Sequence, residues 1–134
     1  MTETENVNQP KAIMVIDDET DIVYIFRKSL ELAGYGVFSF TDPLLAFEHL
    51  RANLERYGLI ICDVRMPTMN GLDFAREART LSPSIAIILM SAFSMADLHI
   101  TPELKIAELL QKPISPARLK ETVSKYIPVL STTS

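Results

Sequence analysis

The sequence predicts an α/β fold: one doubly wound sheet of five parallel strands with helices on both faces. Three observations carry this. Short, continuously apolar runs rich in branched side chains recur along the chain, too brief for helices and without the polar alternation of a one-sided sheet. Between them lie segments whose apolar residues recur three or four positions apart, the spacing of an amphipathic helix. Polar residues stand where four of the runs stop, at Ile16-Asp17-Asp18, Cys62-Asp63, Leu89-Met90-Ser91 and Gln111-Lys112-Pro113. Parallel strands joined by right-handed crossovers bring such ends to one edge of the sheet.

In chain order, residues 1–10 are polar, end at Pro10 and read as a flexible tail. Ala12 to Ile16 is the first strand. Ile22, Phe26, Leu30 and Ala33 mark the first helix, stopped by Gly34. Val37 to Phe40 is the second strand, and Asp42-Pro43 opens the second helix as cap and first-turn proline, with Phe47, Leu50 and Leu54 on one face. Leu59 to Cys62 is the third strand. Asn70-Gly71 precedes a helix carrying Leu72, Ala75, Ala78 and Leu81, which Pro83 ends. Ile85 to Leu89 is the fourth strand. From Phe93 to Leu104 the alternation is least regular, and Thr101-Pro102-Glu103 predicts a short fourth helix after a long loop. Glu108 to Gln111 is a weaker fifth strand, and Ser115-Pro116 caps a last helix with Leu119, Val123 and Ile127 on its buried stripe. The predicted strand order is 2-1-3-4-5, the flavodoxin-like arrangement. The domain spans residues 11–128, and 129–134 form a second tail.

The chain of 134 residues has room for one domain, and its net charge of −4 with no Lys/Arg cluster argues against direct contact with nucleic acid. Its longest apolar run, Ile85 to Met90, is far short of the ~20 residues that cross a bilayer. The N-terminus lacks the charged flank and apolar stretch of a signal peptide, so the expected location is the cytoplasm, with no membrane partner. The lone Cys62 sits among Leu59, Ile60 and Ile61 and reads as a core side chain. His49 and His99 are read as surface or helix residues without partners, and Met66, Met69, Met90 and Met95 as gap-filling side chains.

Strand order places Asp17, Asp18 and Asp63 side by side. Three close carboxylates do not all stay ionised cheaply without a compensating cation, and an oxygen-only set selects a hard ion, Mg²⁺ above all, with Mn²⁺ as a substitute. A carboxylate is also a nucleophile toward phosphorus. Lys112 supplies a point charge for phosphoryl oxygens and Ser91 a hydrogen-bond donor. Taken singly each residue has a plainer reading: Asp18 as a helix cap, Asp63 as a loop acid, Lys112-Pro113 as a turn.

The sequences Val15-Ile16-Asp17-Asp18-Glu19, Ile61-Cys62-Asp63-Val64-Arg65-Met66-Pro67-Thr68-Met69-Asn70-Gly71, Ser91-Ala92 and Gln111-Lys112-Pro113 together resemble the receiver domains of two-component response regulators. The resemblance implies that Asp63 accepts a phosphoryl group from a phosphohistidine on a sensor histidine kinase or phosphotransfer protein. It also implies that Asp17, Asp18, Asp63 and the backbone carbonyl of Arg65 hold Mg²⁺, and that Ser91 and Lys112 engage the phosphoryl group. Such a domain is a switch and not a multiple-turnover enzyme, catalysing only its own phosphorylation and dephosphorylation. The chain departs from the family pattern at Leu109, where Tyr or Phe is usual, at Lys105-Ile106, where Gly-Ala is usual, and at Pro102. Arg65 and Phe93, two residues beyond Asp63 and Ser91, occupy positions that flank the phosphoryl group in the family. The departures leave open a receiver-like interaction module that works without phosphorylation. An aspartate-nucleophile phosphatase fits less well, because such enzymes place Asp-x-Asp after the first strand.

Overall fold

The computed structural model describes residues 11–94 and 98–128. The two expected tails and Met95 lie outside the described residues. Five strands form one parallel sheet in the order β2-β1-β3-β4-β5: β1 Ala12–Ile16, β2 Val37–Phe40, β3 Tyr57–Asp63, β4 Ala86–Ser91 and β5 Glu108–Gln111. Every neighbouring pair is parallel, as continuous apolar strands require. Helices α1 Thr20–Leu32 and α4 Pro116–Val123 cover one face; α2 Pro43–Ala52 and α3 Gly71–Leu81 cover the other.

Alternation along each strand divides the core in two. On β1, Ile13 and Val15 pack with Phe26 and Leu30 of α1 and Leu119 and Val123 of α4, whereas Met14 and Ile16 pack with Ala46 and Leu50 of α2 and Phe74, Ala75 and Ala78 of α3. Phe74 is fully buried, and truncating a ring in such a position costs about 3–5 kcal/mol. Gly34 closes α1 with φ 105°, while Gly34 N–H donates to Glu31 O and Tyr35 N–H to Leu30 O. This is the left-handed cap that glycine accommodates without a Cβ clash. Asp42, Asn70 and Ser115 cap α2, α3 and α4 by accepting from Leu44, Leu72 and Arg118 N–H groups.

The expected short fourth helix begins where Thr101-Pro102 places it but amounts to one 3-10 turn. Among the described residues between β4 and β5 the only helical piece is a three-residue 3-10 turn, Pro102–Leu104, buried through Leu104 and ended by Lys105 in the left-handed conformation, φ 51°. Proline fits a first turn but offers no N–H to extend a helix running in from before it, and a left-handed residue stops one running out. Arg79 of α3 holds this stretch instead. Its guanidinium donates to five backbone carbonyls: Leu104 at 2.9 Å, Lys105 at 3.3 Å, Ile85 at 2.7 Å, Ser82 at 3.1 Å and Pro83 at 3.2 Å.

His49 is a correction. Its Nε2 lies 2.6 Å from the Tyr57 hydroxyl, and its ring sits among Phe38, Phe40 and Tyr57 at centroid distances of 5.2–5.7 Å. The packing of α2 over β2 and the start of β3 brings these residues together, so no local pattern announced them. Cys62 is buried as expected, and burial pushes its thiol well above the usual range, with the charges of Asp63 and Asp17 adding to this.

Candidate functional site

Register assembles the site. Ile16 pairs with Cys62 across β1 and β3, so the next residues, Asp17 and Asp63, lie side by side beyond the strand ends. Asp63 pairs with Met90, and Ser91 with Gln111, which brings Ser91 and then Lys112 to the same edge. Lys112 N–H donates to the Ser91 carbonyl at 2.7 Å, and the Lys112–Pro113 peptide is cis.

One carboxylate oxygen each from Asp17, Asp18 and Asp63 falls within a 4.8 Å group. Asp17 is fully buried and Asp63 nearly so, while Asp18 is exposed. The Lys112 ammonium lies 3.1 Å from Asp17 Oδ2 and 3.2 Å from Asp63 Oδ1. Asp17 Oδ1 also accepts the Glu19 N–H at 3.0 Å. Helix α1 begins at Thr20, and its N-cap residue Glu19 makes no side-chain cap, so Asp18 does not fill the capping role that a lone acid at this place would suggest.

The electrostatics single out Asp63. Burial raises its carboxyl to about 6, the charges of Asp17 and Asp18 push the same way, and Lys112 pulls it down. For Lys112, burial alone would lower the ammonium, but its hydrogen bond to Asp17 and the charges of Asp17 and Asp63 outweigh that and raise it. The acids and the ammonium therefore hold each other in place.

A cleft of about 440 Å³ opens over this cluster, lined by Asp18, Glu19, Asp63, Arg65, Ala92, Phe93 and Lys112. Ser91, next to the lining residue Ala92, is buried, and its Oγ accepts the Phe93 N–H at 2.9 Å. At the rim the Arg65 guanidinium sits 4.7 Å from the centre of the Phe93 ring, a cation–π contact worth about 0.5–1 kcal/mol where exposed. Gly71 packs against the backbone of Asp63 and Val64. A Cβ there would overlap the Asp63 carbonyl oxygen and come 2.8 Å from Val64 Cα, and Gly71 N–H donates to the Val64 carbonyl at 2.8 Å. All six expected site residues, Asp17, Asp18, Asp63, Arg65, Ser91 and Lys112, thus meet at one edge. Sequence reasoning did not foresee Glu19, whose Oε1 is 3.8 Å from Lys112 Nζ; its place beside Asp17-Asp18 was the available signal.

The sequence profile of the response regulator receiver domain matches residues 13–124. The chain belongs to the response regulator receiver family. Among curated relatives, this receiver is 30% identical over 118 residues to the response regulator receiver protein CpdR of Brucella abortus, covering 87% of the chain and 97% of that protein. It is 33% identical over 117 residues to the transcriptional regulatory protein ZraR of Klebsiella oxytoca, covering 86% of this chain but only 26% of that protein. Among solved structures, the receiver matches the response regulator protein TrrA of Thermotoga maritima in complex with Mg²⁺–BeF at TM-score 0.75 and 30% identity, covering 86% of this chain and 97% of that one. A response regulator receiver domain protein of Clostridium thermocellum matches at TM-score 0.78 and 26% identity, covering 86% and 92%. Leu109 of this receiver is half-buried against the α2–α3 side of the core, and Lys105, where the family usually has glycine, keeps the backbone conformation that glycine favours.

Proposed function

We propose that this receiver is a phosphorylation-dependent switch whose acceptor is Asp63. The observation that carries the reading is the setting of that carboxylate, buried between two other acids and the Lys112 ammonium yet lining an open cleft. The donor is a phosphohistidine on a sensor histidine kinase or phosphotransfer protein in the cytoplasm. An Asp63 oxygen attacks phosphorus, the O–P bond forms as the N–P bond breaks, and the departing imidazole keeps the electron pair and takes up a proton. Lys112 pairs with one phosphoryl oxygen, and the Ser91 hydroxyl donates to another.

Three clustered carboxylates with no His or Cys among them fit a hard divalent ion. Asp17, Asp18, Asp63 and the Arg65 carbonyl would hold Mg²⁺, or Mn²⁺ in its place, and the bound ion would neutralise charge on the transferred group. The same domain catalyses loss of its own phosphoryl group and has no other turnover. No helix among the described residues is long and apolar enough to cross a membrane.

The test is phosphotransfer from acetyl phosphate with Mg²⁺ onto wild type and Asp63→Ala, read by mass spectrometry. A gain of one phosphoryl group in wild type, labile to hydroxylamine and missing in Asp63→Ala, is expected. No adduct on wild type would favour the phosphorylation-independent interaction module instead.

A further inference from the structure

We propose that Arg65 and Phe93 form a latch that phosphorylation of Asp63 opens, with Arg65 as the residue that reports the phosphoryl group to Phe93. The proposal rests on the phosphoacceptor reading above. Phe93 is held in two ways: its N–H donates to Ser91 Oγ at 2.9 Å, and its ring carries the Arg65 guanidinium at 4.7 Å. Both holders are groups for which a phosphoryl group on Asp63 competes. Arg65, Phe93, Asp63 and Lys112 line the same cleft, so an arriving phosphoryl group enters the space beneath the Arg65–Phe93 pair.

The competition is one-sided. A phosphoryl group adds negative charge and three strong acceptors, and a guanidinium binds such oxygens through paired charge-assisted hydrogen bonds, whereas a ring face offers only its quadrupole. Lys112 cannot take over the whole charge, because its single positive charge is shared with buried Asp17, 3.1 Å away, and a phosphoryl group carries more than one negative charge. When the Ser91 hydroxyl turns to donate to a phosphoryl oxygen, its oxygen leaves the Phe93 N–H. One chemical event thus removes both restraints on Phe93. The ring is already 38% exposed, so its release needs no rearrangement of the core. At the far end of the β4–β5 connection Arg79 keeps Leu104 and Lys105 fastened, so the displacement is confined to the Phe93 end.

The experiment is NMR of the full chain with and without Mg²⁺ and beryllofluoride, a phosphoryl mimic. Without the mimic, the Arg65 side-chain protons are expected at ring-current-shifted positions that Phe93→Leu abolishes. With the mimic, they are expected to lose that shift in wild type while the Phe93 amide signal moves. Arg65→Ala without the mimic is expected to speed amide exchange at Phe93 about two- to fivefold. If the Ser91 and Lys112 amides respond to the mimic while the Arg65 protons keep their shift, the latch is overturned and the phosphoacceptor reading stands. If Ser91 and Lys112 do not respond either, both fall. Unchanged exchange at Phe93 in Arg65→Ala overturns the latch alone.

Discussion

Gly71 lies against the backbone of Asp63 so closely that any Cβ on it would overlap the Asp63 carbonyl oxygen. The first turn of α3 thereby sets the position of the acceptor residue at the end of β3, and only hydrogen at this position leaves room. Gly71→Ala is expected to cost about 1–3 kcal/mol, the range for forcing atoms into a packed site, and to slow phosphorylation of Asp63. Urea unfolding and a phosphorylation time course check both; wild-type values in each would show that the contact is not limiting.

Burial and two neighbouring acids raise the Asp63 carboxyl to about 6 from its ordinary 3.8. The native state therefore takes up this proton at a higher pH than the unfolded chain does. As pH falls from about 6 to about 4 the fold gains stability from this group, and above about 6 the ionised carboxylate opposes folding. Asp63→Asn is expected to be more stable than wild type at pH 7 without divalent metal, by roughly 3 kcal/mol at most. The advantage shrinks as pH falls through that window. Added Mg²⁺ is expected to narrow it at pH 7 by compensating the repulsion, which denaturation curves at several pH values would show.

Arg79 joins the end of α3 and the start of β4 to the 3-10 turn through five carbonyls. Arg79→Ala leaves several of those acceptors half-buried without a donor and is expected to cost about 2 kcal/mol. Faster hydrogen exchange at Leu104 and Ile106 should accompany the loss. Arg79→Lys recovers only part of it, since an ammonium lacks the planar five-donor fork.

Lys105 has φ 51°, a conformation that costs a side-chain-bearing residue about 1 kcal/mol or more. Lys105→Gly is expected to stabilise the fold by about 0.5–1 kcal/mol, and Lys105→Val to destabilise it, by thermal unfolding.

The parallel sheet was legible because each buried strand declares itself as an uninterrupted apolar run, and the strand-end residues were legible because parallel register carries them all to one edge. β3 and β4 run further than their apolar runs, to Asp63 and Ser91, because pairing with a neighbour extends a strand past the point where hydrophobicity stops. What stayed hidden depends on distant partners. Nothing near Arg79 in sequence shows that its guanidinium will meet Leu104, 25 residues on, and nothing near His49 shows the ring cluster that encloses it. The Arg65–Phe93 contact was half legible. Both residues were marked by their offsets from Asp63 and Ser91, but the stacking of one on the other is a property of the folded rim.

The passage from β4 to β5 has kinetic meaning as well. A crossover built on a helix brings its own local order to the folding chain, and this one offers only three residues of 3-10 turn among those described. Its arrangement depends on α3 being in place to present Arg79. Strand β5, and with it Lys112, is therefore expected to dock late, after the acidic residues of β1 and β3 are in place, an order that pulse-labelling hydrogen exchange during refolding would show.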